Sequence, residues 1–256
     1  MIGSQEIMSK VWSHMTSEPL FMEITSTLKD AVDRMAIHSI GNLVVTDGAT
    51  IGLLTEREIL HYLDLFGEIP DRELRSVMLR KFTKVSSKTP IDEAAKTMIS
   101  TKTRLLVYEQ NKLVGIITTS DLAKAFFKTT DRNPSLERVI TRNTLSLEHC
   151  SSILEAIKLM NTRRVGSIIV TVNGLHDGIF TERDLLTKIL TQNVDFTEEV
   201  GKYCSHFLLT ARSGIRAREA AKLMFANNIK RLPITNGGTV VGIVTARDLV
   251  ESFVSE

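Results

Sequence analysis

Gly52-Leu53-Leu54-Thr55-Glu56-Arg57-Glu58-Ile59 is the stretch that decides the fold, because the chain repeats it three more times. It returns as Gly115-Ile116-Ile117-Thr118-Thr119-Ser120-Asp121-Leu122, as Gly178-Ile179-Phe180-Thr181-Glu182-Arg183-Asp184-Leu185 and as Gly242-Ile243-Val244-Thr245-Ala246-Arg247-Asp248-Leu249. The shared phrase is glycine, two apolar residues, threonine, two variable residues, an acid and an apolar residue. Its glycines recur after 63, 63 and 64 residues. A fixed period of that size marks four copies of one supersecondary unit.

Upstream of each phrase lies an apolar stripe at helical spacing. The four stripes are Leu28, Ala31, Val32, Met35; Ile91, Ala94, Ala95, Met98; Ile153, Ala156, Ile157, Met160; and Ala217, Ala220, Ala221, Met224. All run i, i+3, i+4, i+7, which predicts an amphipathic helix with one buried face. A short apolar run follows: Leu43-Val44-Val45, Leu105-Leu106-Val107, Ile168-Ile169-Val170 or Leu232-Pro233-Ile234. Turn signals such as Asp47-Gly48, Asn173-Gly174 and Asn236-Gly237-Gly238 separate it from the phrase, so the two make a hairpin. The Thr-x-x-acid portion then opens a second helix. Its buried positions are expected at Leu122, Ala123, Phe126, Phe127 in copy two and Leu249, Val250, Phe253, Val254 in copy four.

A lead-in repeats as well: Val11–Thr16, Leu74–Met78, Leu136–Thr141 and Val200–Ser205. Each precedes a strand-like stretch, so one unit reads strand, helix, hairpin, helix. The copies are unequal. Copies one and three share Gly41-Asn42 and Gly166-Ser167 before the middle strand, and both carry Thr-Glu-Arg-acid. Copies two and four place Arg104 and Arg231 there instead. The duplicated unit is therefore a pair, with a period of 126 residues.

This four-fold pattern resembles the CBS domain, the small module named after cystathionine β-synthase. The resemblance covers nearly the whole chain. It implies an α+β fold of four tandem units, arranged as two pseudo-two-fold Bateman modules. Residues 1–130 would form the first module, with units at about 8–68 and 71–128. Residues 131–256 would form the second, with units at about 135–193 and 197–256, the boundary falling in the polar segment Thr129–Pro134. In architecture the chain is similar to the regulatory γ subunit of AMP-activated protein kinase, which carries a basic-Leu-Pro-Val segment like Arg231-Leu232-Pro233-Ile234.

The Thr-x-x-acid phrase has two readings. Thr55, Thr118, Thr181 or Thr245 can cap its helix, with the acid reaching back to the threonine N–H. The same helix start also suits a phosphate, and the carboxylate can accept both hydroxyls of a ribose. In the family the aspartate of the phrase holds ribose, the threonine lies near ribose and phosphate, and basic residues before the middle strand hold phosphate. Carried over, the resemblance implicates Thr245, Asp248, Arg231 and Lys230 first. Thr118, Asp121 and Arg104 come next, then Thr181 and Asp184. Arg57, Arg183 and Arg247 are further phosphate candidates, and Thr55 completes the expected nucleotide-binding set. Copy one has Glu58 in place of aspartate, so there Thr55 and Glu58 are expected to cap rather than to hold ribose.

Composition narrows the function classes. The chain has 256 residues, 43% hydrophobic and 24% charged, with a net charge of +2. That is ordinary for a globular protein and offers no general electrostatic attraction to nucleic acid. No apolar run is long enough for a bilayer and no signal peptide is apparent, so a cytoplasmic location and no membrane partner are expected. Cys150 and Cys204 are the two cysteines, too few for a disulfide framework. His149-Cys150 and Cys204-x-His206 depart from finger spacing, so no metal is expected. No P-loop, dinucleotide fingerprint or nucleophile elbow occurs.

The expected function is a non-catalytic sensor of AMP, ADP or ATP that reports to an unknown protein target through module orientation. It needs no cofactor beyond that regulatory ligand. The alternatives are a sensor of S-adenosylmethionine or a related adenosyl ligand, or a CBS assembly or nucleic-acid-associated regulator. A homodimer through module faces is expected, with Phe126 and Phe127 as candidates for such a face.

Overall fold

The computed structural model describes residues 9–49, 51–142, 144–206 and 208–255. The outer ends of the expected boundaries, residues 1–8 and 256, lie outside them. The four apolar stripes form helices Leu28–Ile37, Ile91–Thr101, Ile153–Thr162 and Ala217–Ala226, and every stripe residue is buried. Each helix is the crossover between a short first strand and a parallel middle strand, which then turns back antiparallel. Copy one uses Phe21–Glu23, Asn42–Thr46 and Ile51–Thr55. Copy two uses Thr83–Ser86, Leu105–Glu109 and Lys112–Ile117. Copy three uses Ser146–Glu148, Ser167–Val172 and Leu175–Thr181, and copy four Ala211–Arg212, Arg231–Asn236 and Thr239–Thr245.

Second helices follow at Glu56–Phe66, Thr119–Thr129 and Ala246–Val254. Gly67, at φ 73°, ends the first of them in the left-handed conformation open to glycine. In copy three the helix begins at Glu182–Asp184 and continues as a π-helix, Leu185–Leu190. The Thr187 and Thr191 hydroxyls donate to the carbonyls of Arg183 and Thr187, competing with the regular backbone ladder. Phe127 and Val254, expected inside, are half-buried; Ala125 and Ser252 are buried in the same helices. Among the described residues no helix is long and apolar enough to cross a membrane.

The lead-ins do not pack on the copies they introduce. Thr16–Ser17, from copy one, adds a strand to the sheet of copy two, pairing with Ile116 and Gly115. The lead-in of copy two pairs back through Leu79 and Leu53 of copy one. Copy three sends Thr141 to Ile243 of copy four, and copy four sends Ser205–His206 to Ile179 and Gly178 of copy three. Lead-ins are thus exchanged within consecutive pairs.

The glycine of the phrase is the seat of this exchange. A methyl on Gly115 would lie 2.8 Å from Met15 Sδ and 2.8 Å from the Thr16 carbonyl oxygen. On Gly178 it would lie 2.7 Å from Cys204 Sγ and 2.8 Å from the Ser205 oxygen. On Gly242 it would meet Ile140 Cγ2 at 2.5 Å, and on Gly52 it would overlap Met78 Sδ. These glycines sit inside strands, not at turns. They clear a notch for a crossing backbone.

Helix packing joins different copies. The chain divides into two compact units. One holds Met1–Pro19, Lys81–Arg142 and Thr210–Glu256; the other holds Leu20–Arg80 and Asn143–Leu209. The first unit contains the bodies of copies two and four, the second those of copies one and three, each with its two borrowed lead-ins. The compact units therefore do not follow the sequence division at 130/131. The physical reason lies in the helix faces. In the second unit one core runs from Leu28, Met35 and Leu60 of copy one to Ile157, Met160 and Ile189 of copy three. In the first, Phe126 stacks on Phe253 with ring centroids 5.0 Å apart, and Phe127 meets Phe225 edge-on at 5.7 Å. Phe126 is consequently buried within the chain, and Phe127 is half-buried against Phe225.

Gly52→Ala is expected to destabilise the protein by about 1–3 kcal/mol, as overpacking does. Because Met78 Sδ is the nearest obstacle, Gly52→Ala with Met78→Ala should cost less than the sum of the two single changes. Urea unfolding of the full cycle measures this coupling; strict additivity would remove the notch as the reason for the glycine.

Candidate functional site

All four phrases form the capping box. Thr118 N–H and Oγ1 donate to Asp121 Oδ2 at 2.9 and 2.7 Å. Thr181 does the same to Asp184 Oδ2 at 3.0 and 2.6 Å, and Thr245 to Asp248 Oδ2 at 2.6 and 2.7 Å. In copy one Thr55 N–H donates to Glu58 Oε2 at 3.1 Å and its hydroxyl bonds the same oxygen. The extra methylene of Glu58 does not break the cap. One carboxylate oxygen per copy is thereby committed to the helix start.

The second oxygen distinguishes the copies. Asp184 Oδ1 is held by Lys188 Nζ at 2.6 Å and by the Ser205 hydroxyl at 3.3 Å. Lys188 also donates to the Tyr203 carbonyl, so it ties the borrowed lead-in to the cap. Among the described residues, Asp121 and Asp248 have no such partner on the second oxygen. Asp248 is buried, and that burial raises its carboxyl above the ordinary range, against the pull of the Thr245 hydrogen bonds.

Antiparallel register places the variable position before each middle strand against the capping threonine. Asn42 is opposite Thr55 and Ser167 opposite Thr181. Arg231 is opposite Thr245, with the exposed Lys230 just before it. Leu105 pairs with Ile117, so Arg104 stands beside Thr118 one step further along the hairpin. In copies two and four the fold thus brings a basic residue, a threonine and a carboxylate to one hairpin mouth. The exchanged lead-in of copy one reaches copy two's mouth: His14 is held below its ordinary pKa by burial and by Lys128, with Asp121 opposing.

Arg183 is placed elsewhere. Its Nε pairs with Glu56 at 2.6 Å and its Nη1 donates to the Ser39 carbonyl at 2.6 Å. The mirror pair is Arg57 Nε with Glu182 at 3.0 Å. The Thr-Glu-Arg-acid shared by copies one and three is therefore a reciprocal ion-pair lock between them. Gly41 belongs to it, because a methyl there would press on the Glu56 carboxylate at 2.9 Å. Glu56 and Glu182 were missed as partners; their signal was the shared dipeptide itself. In copy four, Arg247 Nη2 donates to the Ile99 carbonyl of copy two at 3.2 Å.

A cleft of about 630 Å³ opens beside Glu58, walled by Arg57, His61, Val77, Leu79 and Arg164. This is the volume range of small-molecule sites. It combines a carboxylate, two arginines and an apolar wall from the borrowed lead-in of copy two. Reading along the chain did not single out copy one, because Arg164 and the lead-in reach it only through tertiary packing.

Four segments, 8–65, 74–128, 137–191 and 200–255, match the family model of the CBS domain. Protein MJ1225 of Methanocaldococcus jannaschii is 28% identical over 204 residues, covering 72% of this chain and 72% of that protein. The crystal structure of MJ1225, described as a candidate archaeal homologue of γ-AMPK, superposes with a TM-score of 0.80. Its structural alignment has 19% identity and covers 96% of this chain and 100% of the other. A conserved protein from Pyrococcus horikoshii superposes with a TM-score of 0.67 at 19% identity, over 95% and 99% of the two chains. At such identities the likeness establishes the fold.

Two outcomes follow from the geometry. A carboxyl with a raised folded-state pKa contributes stability that is fully present below its unfolded pKa and lost as pH rises through the folded value. Asp248→Asn should therefore match the native protein in Tm at strongly acidic pH and exceed it near neutrality, as read by thermal melts across pH. Arg183→Met should cost about 1–3 kcal/mol by leaving Glu56 without its partner, and adding Glu56→Gln should restore most of that loss in denaturant titrations.

Proposed function

This chain belongs to the CBS-domain family, and from that footing we propose that it binds an adenine nucleotide and acts as a regulatory sensor rather than a catalyst. The observation that carries the reading is the hairpin mouth of copy four. There Arg231 lies across from Thr245, and Asp248 has one carboxylate oxygen committed to the cap. The other oxygen would accept from a ribose diol, and Arg231 and Lys230 would supply charge for phosphate. Copy two repeats the set with Arg104, Thr118 and Asp121. In copy three Asp184 would first have to release Lys188, which places it last. The cleft beside Glu58 adds a fourth candidate, with Arg164 on its wall as the phosphate ligand.

The sensing mechanism we propose is a population shift. A ligand at a hairpin mouth touches one copy's body and the lead-in borrowed from its mate. Binding then favours the state in which that lead-in is docked, and the mate copy, joined to the lead-in by the chain, registers it. In this reading consecutive copies remain the paired modules, and the two copies within residues 1–130, like the two within residues 131–256, exchange signal through their lead-ins. A phosphate-free adenosyl ligand such as S-adenosylmethionine is the second reading, favoured by the mouths of copies one and three, where Asn42 and Ser167 replace arginine.

Calorimetry with AMP, ADP, ATP and S-adenosylmethionine separates these readings. Asp248→Ala should weaken adenine nucleotides at least tenfold, about 1.4 kcal/mol, without loss of fold. Arg231→Ala should weaken ATP more than S-adenosylmethionine. No heat and no thermal stabilisation with any of the four at millimolar concentration would sink the sensor proposal.

A further inference from the structure

Copy three departs from its own repeat at three positions, and the three meet in space. The residue seated in the glycine notch is Met15, Met78 or Ile140 in the other copies but Cys204 here. Two residues on, opposite the glycine, the other lead-ins carry Ser17, Arg80 and Arg142, whereas this one carries His206. The residue before the glycine is Ile51, Val114 or Val241 elsewhere and Asp177 here. Asp177 sits at a β-bulge, where the register shifts between His176 and Gly178. A bulge re-aims its side chain, and Asp177 Oδ2 lies 2.8 Å from His206 Nδ1. Cys204 Sγ is 3.8 Å from the His206 ring nitrogens, and the ligand atoms of all three residues lie within 4.8 Å of one another.

We propose that Cys204, His206 and Asp177 form a binding site for a divalent zinc-like cation, with one open coordination position. A thiolate, an imidazole and a carboxylate are zinc's preferred donors. Tetrahedral zinc at ordinary bond lengths sets sulfur and nitrogen about 3.5 Å apart and nitrogen and oxygen about 3.3 Å apart. The Cys204–His206 and His206–Asp177 separations need adjustments of a few tenths of an ångström, and the half-exposed Asp177 can close on sulfur from within 4.8 Å. The charges balance, since one thiolate and one carboxylate neutralise the dication. Cys204 is buried and Lys188 and Asp184 stand nearby. Burial pushes the thiol up to about 11, Asp177 and Asp184 push the same way and Lys188 opposes. Zinc must therefore displace the proton: Cys204–SH gives Cys204–S–Zn and H⁺ to solvent. His149 and Cys150 take no part in the cluster.

The consequence is local and mechanical. The borrowed strand Ser205–His206 is two residues long, and a metal joining it to the Asp177 bulge would staple copy four's lead-in onto copy three. This inference stands apart from the nucleotide reading, so either can fail alone.

Cobalt(II) is the probe. The purified chain, stripped by chelator, should develop thiolate-to-cobalt charge-transfer absorption and tetrahedral visible bands that saturate at one equivalent and collapse on adding zinc. Cys204→Ser should abolish the charge transfer, and Asp177→Asn should weaken affinity tenfold or more. Cys150→Ser should leave both unchanged. His206→Gln, a surface change, gives a variant whose folding is not at issue and should lose the tetrahedral bands. Zinc calorimetry in two buffers should report release of one proton near neutral pH. Absence of saturable bands, their survival in Cys204→Ser or His206→Gln, or equal loss in Cys150→Ser would overturn the site.

Discussion

Everything in this protein hangs on a missing methyl group. Each copy's last strand has a glycine where a neighbour's lead-in crosses, and the nearest crossing atoms stand at 2.8 Å or less from where a Cβ would be in all four copies. Close packing admits no side chain there. The notch couples the copies in consecutive pairs, because each copy's sheet is completed by chain that belongs to the other. It also puts the lead-in beside the Thr-x-x-acid helix start, where the capping chemistry is.

On that common frame the copies diverge by what their helix starts touch. Copies one and three meet through two reciprocal arginine–glutamate pairs, Arg57 with Glu182 and Arg183 with Glu56. Copies two and four meet through stacked phenylalanines, with Arg132 and Arg218 donating to carbonyls of Phe253 and Phe127. The locked arginines and glutamates of the second unit are thereby withdrawn from ligand chemistry, while Arg104 and Arg231 in the first stand at the hairpin mouths. The same phrase thus serves as a lock in one pair of copies and as a candidate nucleotide mouth in the other.

Much of the fold was legible in the chain. The period, the four buried stripes and the hairpins are local patterns, and local patterns survive into structure because each element buries its own apolar face. The capping role of threonine was equally legible, including Glu58, since a cap spans only three residues. The partners of Arg183 were not, because Glu56 lies 127 residues away. Nor was Asp177, which reaches Cys204 and His206 through a strand pairing and a bulge that no spacing rule encodes.

By itself the sequence determined that there are four copies, that each is strand, helix, hairpin and helix, and that every phrase caps a helix. Those are consequences of periodicity and of contacts within a few residues. Only the tertiary structure decided which copy completes which sheet, which helix faces share a core and which carboxylate keeps an uncommitted oxygen. Those choices depend on surfaces brought together from distant parts of the chain. Among four near-equivalent copies, the repeat alone cannot rank one pairing over another; that ranking comes from side-chain complementarity at the contacts.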